Sequence, residues 1–147
     1  HETDVWVEIT TLLIPEENDS DAELHELGAW VREELRPDVP LHFSAYHPDF
    51  RMTRPRTPPE TVRRARRIAL EEGIQYVYTG NIRDPEGGST WCPGCDALLI
   101  ERDWHQLGRW HLDANGACLD CGHKVPGRFE ARPGAWGPRR QRVRIGD

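Results

Sequence analysis

Two CxxC pairs, Cys92-Pro93-Gly94-Cys95 and Cys118-Leu119-Asp120-Cys121, hold all four cysteines of the 147-residue chain and are separated by 22 residues. Each pair offers two sulfurs from one tight turn, and two such turns brought face to face make a tetrahedral four-sulfur metal site. The separation slightly exceeds the roughly 15–20 residues usual in zinc ribbons, and a hairpin built on residues 97–102 and its return fills it. One structural zinc at Cys92, Cys95, Cys118 and Cys121 is the expectation, with rubredoxin-type iron as the alternative because sulfur ligands do not separate the two metals. Four thiolates close the coordination shell, whereas a catalytic zinc keeps a position open. His123 is therefore not needed as a ligand, and His105 and His111 read as surface or hairpin residues.

An even cysteine count would also suit two disulfides in a secreted chain. No basic-then-apolar leader is present, and no stretch reaches the ~18 apolar residues of a membrane span. A cytoplasmic protein with no membrane partner is expected. The chain opens on His1 and its single methionine is Met52, which suggests one piece of a longer polypeptide. Eighteen of its 19 basic residues are Arg, Lys124 being the exception. That bias points to GC-rich coding rather than to phosphate recognition, so nucleic acid is not an expected partner. Residues 1–50 carry thirteen Asp and Glu against Arg32 and Arg36, while six Arg and two acids lie from Arg128 onward.

Ahead of the cysteines the pattern alternates between strand and helix. Val5 to Ile14 is rich in β-branched residues and stops at Pro15, which predicts a largely buried strand. Ser20-Asp21-Ala22-Glu23 is a capping box that opens a helix with Leu24, Leu27, Val31 and Leu35 on one face, ended by Pro37. Leu41 to Tyr46 predicts a second strand. Thr57-Pro58-Pro59-Glu60 predicts another capped helix, with Val62, Ala65, Ile68 and Ala69 inward, the arginines Arg63, Arg64, Arg66 and Arg67 mostly outward, and Gly73 as its stop. Gln75 to Thr79 predicts the third strand. Helices between strands permit parallel pairing. Three strands and two helices form an incomplete layer with one sheet edge expected to lie bare.

Residues 1–83 are thus expected to form an α/β unit, residues 84–130 a zinc-ribbon-like module beyond a turn-rich boundary at 84–89, and residues 131–147 a disordered Arg/Gly/Pro-rich tail. Alternation along the strands gives two faces. Val5, Val7 and Ile9 suit packing on helices, while Glu8 and Thr10 fall on the other side. Leu41, Phe43 and Ala45 divide in the same way from His42, Ser44 and Tyr46. Glu8, Thr10, His42, Ser44 and His47 are therefore candidates for a ligand-facing interior, with Asn18, Asp19 and Asn81 near the strand ends. No Ser-His-Asp arrangement, phosphate loop or HExxH motif is present.

Several segments occur in a familiar order: residues 6–15 (WVEITTLLIP), Asn18-Asp19-Ser20, residues 40–48 (PLHFSAYHP), residues 76–81 (YVYTGN) and residues 90–102 (TWCPGCDALLIER). Across residues 4–127 the chain resembles the C-terminal part of the AmmeMemoRadiSam-system radical SAM proteins, relatives of pyruvate formate-lyase activating enzymes. The resemblance implies a βαβαβ segment of a partial (β/α)6 barrel followed by the four-cysteine module. It also implies reductive cleavage of S-adenosylmethionine (SAM) at a [4Fe-4S] cluster, with hydrogen abstraction from a substrate by the intact protein. By the same resemblance, Glu8, Thr10, His42, Ser44 and His47 would face the SAM and substrate cavity. The implied partners are a missing N-terminal barrel half and a protein substrate.

The chain departs from that family in lacking the cluster-binding CxxxCxxC, and Glu16 stands where relatives commonly have Gly. The chain alone is therefore expected neither to bind the cluster nor to cleave SAM. A stand-alone zinc-ribbon adaptor that binds protein or nucleic acid is the alternative from another functional class.

Overall fold

A computed structural model describes residues 5–130 and Arg132. The tail expected at 131–147 lies, apart from Arg132, outside the described residues. The first unit runs β1 (Ile9–Leu13), α1 (Asp21–Trp30), β2 (Leu41–Ala45), α2 (Pro59–Glu71) and β3 (Val77–Gly80). The strands form one parallel sheet in the order β1-β2-β3. Thr10 stands opposite His42 and Leu12 opposite Ser44, while His42 pairs with Tyr78 and Ser44 with Gly80.

One face of this sheet is covered. Leu13, Leu41, Phe43, Ala45 and Val77 join Leu24 and Val31 with Val62, Ala65, Ile68 and Ala69 in a single apolar cluster. Each large side chain taken out of water there contributes about 1.5–3 kcal/mol. The other face carries Thr10, Leu12, His42, Ser44, Tyr78 and Gly80, since paired residues in parallel strands share a side.

Local chemistry explains most element bounds. The Ser20 hydroxyl accepts from the Glu23 N–H at 3.4 Å and donates to the Glu23 carboxylate at 2.6 Å, fixing the start of α1. Past Trp30 the helix widens into a π-helical turn, Val31–Leu35, in which the Arg36 N–H reaches the Val31 carbonyl. Arg32 on this turn donates to the Glu72 carbonyl at 2.8 Å, satisfying a group at the end of α2. Gly73, at φ +93°, stops α2 as its sequence position predicts.

Three expectations are corrected. Val5 and Val7 are 71% and 47% exposed rather than packed on helices. β2 begins only at Leu41, and the Ile9 N–H already bonds Pro40, so the chain before Ile9 has no strand beside it among the described residues. Thr57 does not cap α2. Its hydroxyl is consumed by the ends of β1 and β2, and Pro58 occupies the cap position without a side-chain bond. Arg64 and Arg66 are half-buried rather than outward, because their guanidinium groups reach the Asp19 and Val77 carbonyls.

The second unit contains a four-residue helix α3 (Pro85–Gly88) within the expected boundary, then β4 (Thr90–Trp91), β5 (Leu98–Asp103) and β6 (Gln106–Trp110). These strands form an antiparallel sheet in chain order. Its small core joins Cys92, Leu99, Ile100, Leu112, Cys118 and Val125 to Tyr76 of the first unit. The two units therefore share a core, and α3 packs on both β3 and β5. Among the described residues no helix is long and apolar enough to cross a membrane.

Candidate metal centre and adjoining cavity

The turn after β4 brings Cys92 and Cys95 to one side of the module, and the turn after Leu112 brings Cys118 and Cys121 to meet them. The two turns are built alike. The Asp96 N–H bonds the Cys92 carbonyl and the Gly122 N–H bonds the Cys118 carbonyl, both at 2.9 Å. Asp96 and Gly122, each following the second cysteine of its pair, take positive φ values of 58° and 74°. Reversal at this point turns both sulfurs of a pair toward a common centre.

All four Sγ atoms lie within 4.8 Å of one another. Cys92 and Cys121 are 3.5 Å apart, and Cys95 and Cys118 are 3.7 Å apart. A tetrahedron with metal–sulfur bonds of about 2.3 Å has edges of about 3.8 Å, so the four sulfurs can hold a single metal ion. The separations are too long for disulfides, whose S–S bond is about 2.0 Å.

Backbone N–H groups favour the thiolates that a metal needs. Burial opposes ionisation of Cys118, but the Cys121 and Asp120 N–H groups outweigh it and hold the thiol down at about 7. Burial pushes the Cys92 thiol up, only partly offset by the N–H groups of Gly94 and Cys95. His123 is not among the clustered ligands; its Nε2 stands 3.5 Å from the Tyr76 hydroxyl, across the junction of the two units. His111 is half-buried and pairs with Asp120 at 2.8 Å, whereas His105 is exposed.

Between the uncovered face of the parallel sheet and the four-cysteine module lies a cavity of about 1030 Å³. Its floor carries His42, whose ring stacks on Tyr78 at 5.0 Å with an interplanar angle of 26°. His42 Nε2 lies 3.1 Å from the Glu8 carboxylate, and Trp6 Nε1 donates to the other Glu8 oxygen at 2.7 Å. Burial pulls the His42 imidazole below its ordinary value, opposed by Glu8 and reinforced by the positive charge of Arg102. The site thus holds an imidazole with a carboxylate beside it and a tyrosine ring stacked on it.

Of the five residues expected to face a ligand, the structure brings Glu8 and His42 together on the cavity wall. Thr10 and Ser44 share the sheet face with His42 without lining the cavity. His47 is exposed just past β2 and lies outside the cavity lining. Asn81 does line it, with its amide tied to the Ala45 carbonyl at 3.1 Å. Asn18 is instead a structural group that bonds both Ile14 and Leu12.

Sequence reasoning missed Tyr76, Tyr78, Arg102 and Trp104 as cavity residues. For the two tyrosines the signal was available: alternation through Tyr76-Val77-Tyr78 sets both on the side occupied by His42. Arg102 and Trp104 come from the β5–β6 hairpin, and only the packing of one unit on the other makes them neighbours of His42.

No protein-family model matches the chain, and no solved structure matches it. An uncharacterized protein of Methanocaldococcus jannaschii is 46% identical over 123 residues, which make up 82% of this chain and 37% of that protein. The chain thus spans little more than a third of the length of the curated relative it matches.

Proposed function

We propose that the chain is the C-terminal part of a radical SAM enzyme, with β1–β3 as late strands of a partial (β/α)6 barrel and the four-cysteine module holding structural zinc. The observation that carries this reading is the division of the parallel sheet into a helix-covered apolar face and an uncovered face with His42 and Glu8 on a large cavity. Chemistry in parallel α/β barrels is mounted at the C-terminal ends of the strands; here Asn81, just past β3, lines the cavity at that end, while Glu8 and His42 line it toward the N-terminal ends of β1 and β2. The greater length of the archaeal relative leaves room for the rest of such a barrel.

The cysteines of this chain suit one ion and not a four-iron cluster. Each thiolate of a cubane binds a different iron, so its ligands stand farther apart than sulfurs gathered within 4.8 Å. The cluster would have to be bound by a CxxxCxxC elsewhere in the polypeptide. In such a protein the cluster and SAM supply a 5′-deoxyadenosyl radical. The residues present here would shape the substrate side of the cavity: Glu8 stands beside the His42 ring, Tyr78 stacks on it, and Trp6 and Trp104 add aromatic surface to the wall.

Reading the coding sequence upstream of His1 and preparing its full product without oxygen tests this. An in-frame CxxxCxxC and cluster-dependent release of 5′-deoxyadenosine are expected. A start codon adjacent to His1 with no upstream barrel overturns the reading and leaves the zinc-ribbon adaptor in its place.

A further inference from the structure

Arg102 is a cavity group whose charge no carboxylate among the described residues answers. It sits on β5, half-buried, with its guanidinium over the Tyr78 ring at 5.7 Å from the centroid. Nη1 donates to Thr90 Oγ1 at 2.7 Å and approaches the Gly88 carbonyl at 3.5 Å. Arginine has five N–H donors in a planar fork, and those on Nε and Nη2 meet no protein acceptor among the described residues. No carboxylate among them lies within ion-pair distance of this side chain. Of the three acids on the cavity wall, Glu8 is engaged with Trp6 and His42, Asp84 with Thr79 at 3.0 Å and Arg63 at 3.7 Å, and Asp103 is exposed at the end of β5. A half-buried cation without a counter-charge carries a desolvation cost that a bound anion relieves.

The surroundings add shape to this charge. Thr90 is itself held by the Tyr78 hydroxyl at 2.9 Å, so Thr90, Tyr78 and the cation–π contact fix the guanidinium in one pose. Trp6, Tyr78 and Trp104 on the cavity wall offer flat apolar surface. The volume of about 1030 Å³ stands at the upper end of ordinary small-molecule sites.

We infer that this cavity binds an organic anion, a flat ring or chain ending in a carboxylate or phosphate, and that Arg102 of the four-cysteine module is its anchor. The inference rests on reading the cavity as a ligand site and not on the radical chemistry proposed above. It gives the module a share in ligand selection in addition to its metal.

The test is a chemical-shift titration of the zinc-loaded 147-residue protein with benzoate and phenyl phosphate, each compared with the neutral probe benzyl alcohol. At least one anion is expected to bind tenfold or more tightly than the alcohol, with shifts centred on Arg102, Thr90 and Tyr78. The tighter anion identifies the terminal group as carboxylate or phosphate. Arg102→Gln is expected to weaken that anion by roughly tenfold or more, the loss of a charge-assisted pair, while Arg102→Lys keeps part of the affinity. Zinc content and shift dispersion of both variants report whether they fold. Equal binding of neutral and anionic probes, no binding of either anion, shifts centred away from Arg102, or unchanged affinity in well-folded Arg102→Gln would each overturn the inference. These outcomes are independent of the upstream sequence: its lack of CxxxCxxC ends the radical-enzyme reading and leaves the anion site standing.

Discussion

The Thr57 hydroxyl donates to the Leu13 carbonyl at 2.5 Å and accepts from the Tyr46 N–H at 3.0 Å, tying together the C-terminal ends of two neighbouring strands. The residue is fully buried, so neither backbone group has water to replace it. Thr57→Val keeps the shape and removes both bonds; a loss of about 2–4 kcal/mol in urea unfolding is expected. Thr57→Ser, which keeps the hydroxyl, should lose only about 1 kcal/mol for the missing methyl.

The four-sulfur geometry predicts one metal per chain. Elemental analysis of the reduced protein should find about one zinc, without the absorption of a four-iron cluster. Cys118→Ser should lose the metal and, with it, the shift dispersion of β4–β6, while α1, α2 and their sheet persist through their own core. Metal-free reduced protein with unaltered β4–β6 signals would refute the assignment.

His42 makes the stability of the fold depend on pH. Its folded value lies below its ordinary 6.5, so the unfolded chain binds the proton more readily. Stability is therefore fully present above about 6.5 and falls as the pH drops from there through the folded value. Urea unfolding of wild type against His42→Gln across pH 7.5 to 4.5 checks this, since the variant loses that component of the slope. In Glu8→Gln the imidazole should titrate lower still by NMR, because the carboxylate is what raises it.

Ser20 supplies the side-chain cap of α1 and stands exposed. Ser20→Ala should cost about 1 kcal/mol, and Ser20→Asp should restore most of it, as read by thermal unfolding. A cap of this kind was legible from Ser20 and Glu23 alone. The same pattern at Thr57 and Glu60 misled, because the hydroxyl is claimed by residues 44 and 11 positions earlier in the chain. Local motifs report local competition only.

The same contrast runs through the site. The cysteine spacing gave the four-sulfur cluster directly, since each turn builds itself from five consecutive residues. Strand alternation set His42 on the uncovered sheet face, because period two is written into the chain, while Glu8 lies just before β1 and comes within 3.1 Å of His42 from there. Arg102 carried no such mark. Its place beside Tyr78 depends on the packing of α3 and β5 against β3, a contact between units that no periodicity encodes. Val5 and Val7 failed for a related reason: a β-branched run states a preference for strand, while its length as a strand is set by where Pro40 lets the neighbour begin.

Asn18 has a consequence for how copies of this chain meet. Its side chain accepts from the Ile14 N–H at 2.8 Å and donates to the Leu12 carbonyl at 3.0 Å. Ile9 turns its backbone polar groups toward β2, so alternation turns those of Thr10, Leu12 and Ile14 away from it. On the far side of the sheet, Arg66 covers the Val77 carbonyl, which points away from β2 by the same alternation. An amide and a guanidinium thus stand where a neighbouring molecule's backbone would dock. Among the described residues the stretch around Thr10 stays open on the β1 side, where a strand from another copy or from the rest of the polypeptide can pair.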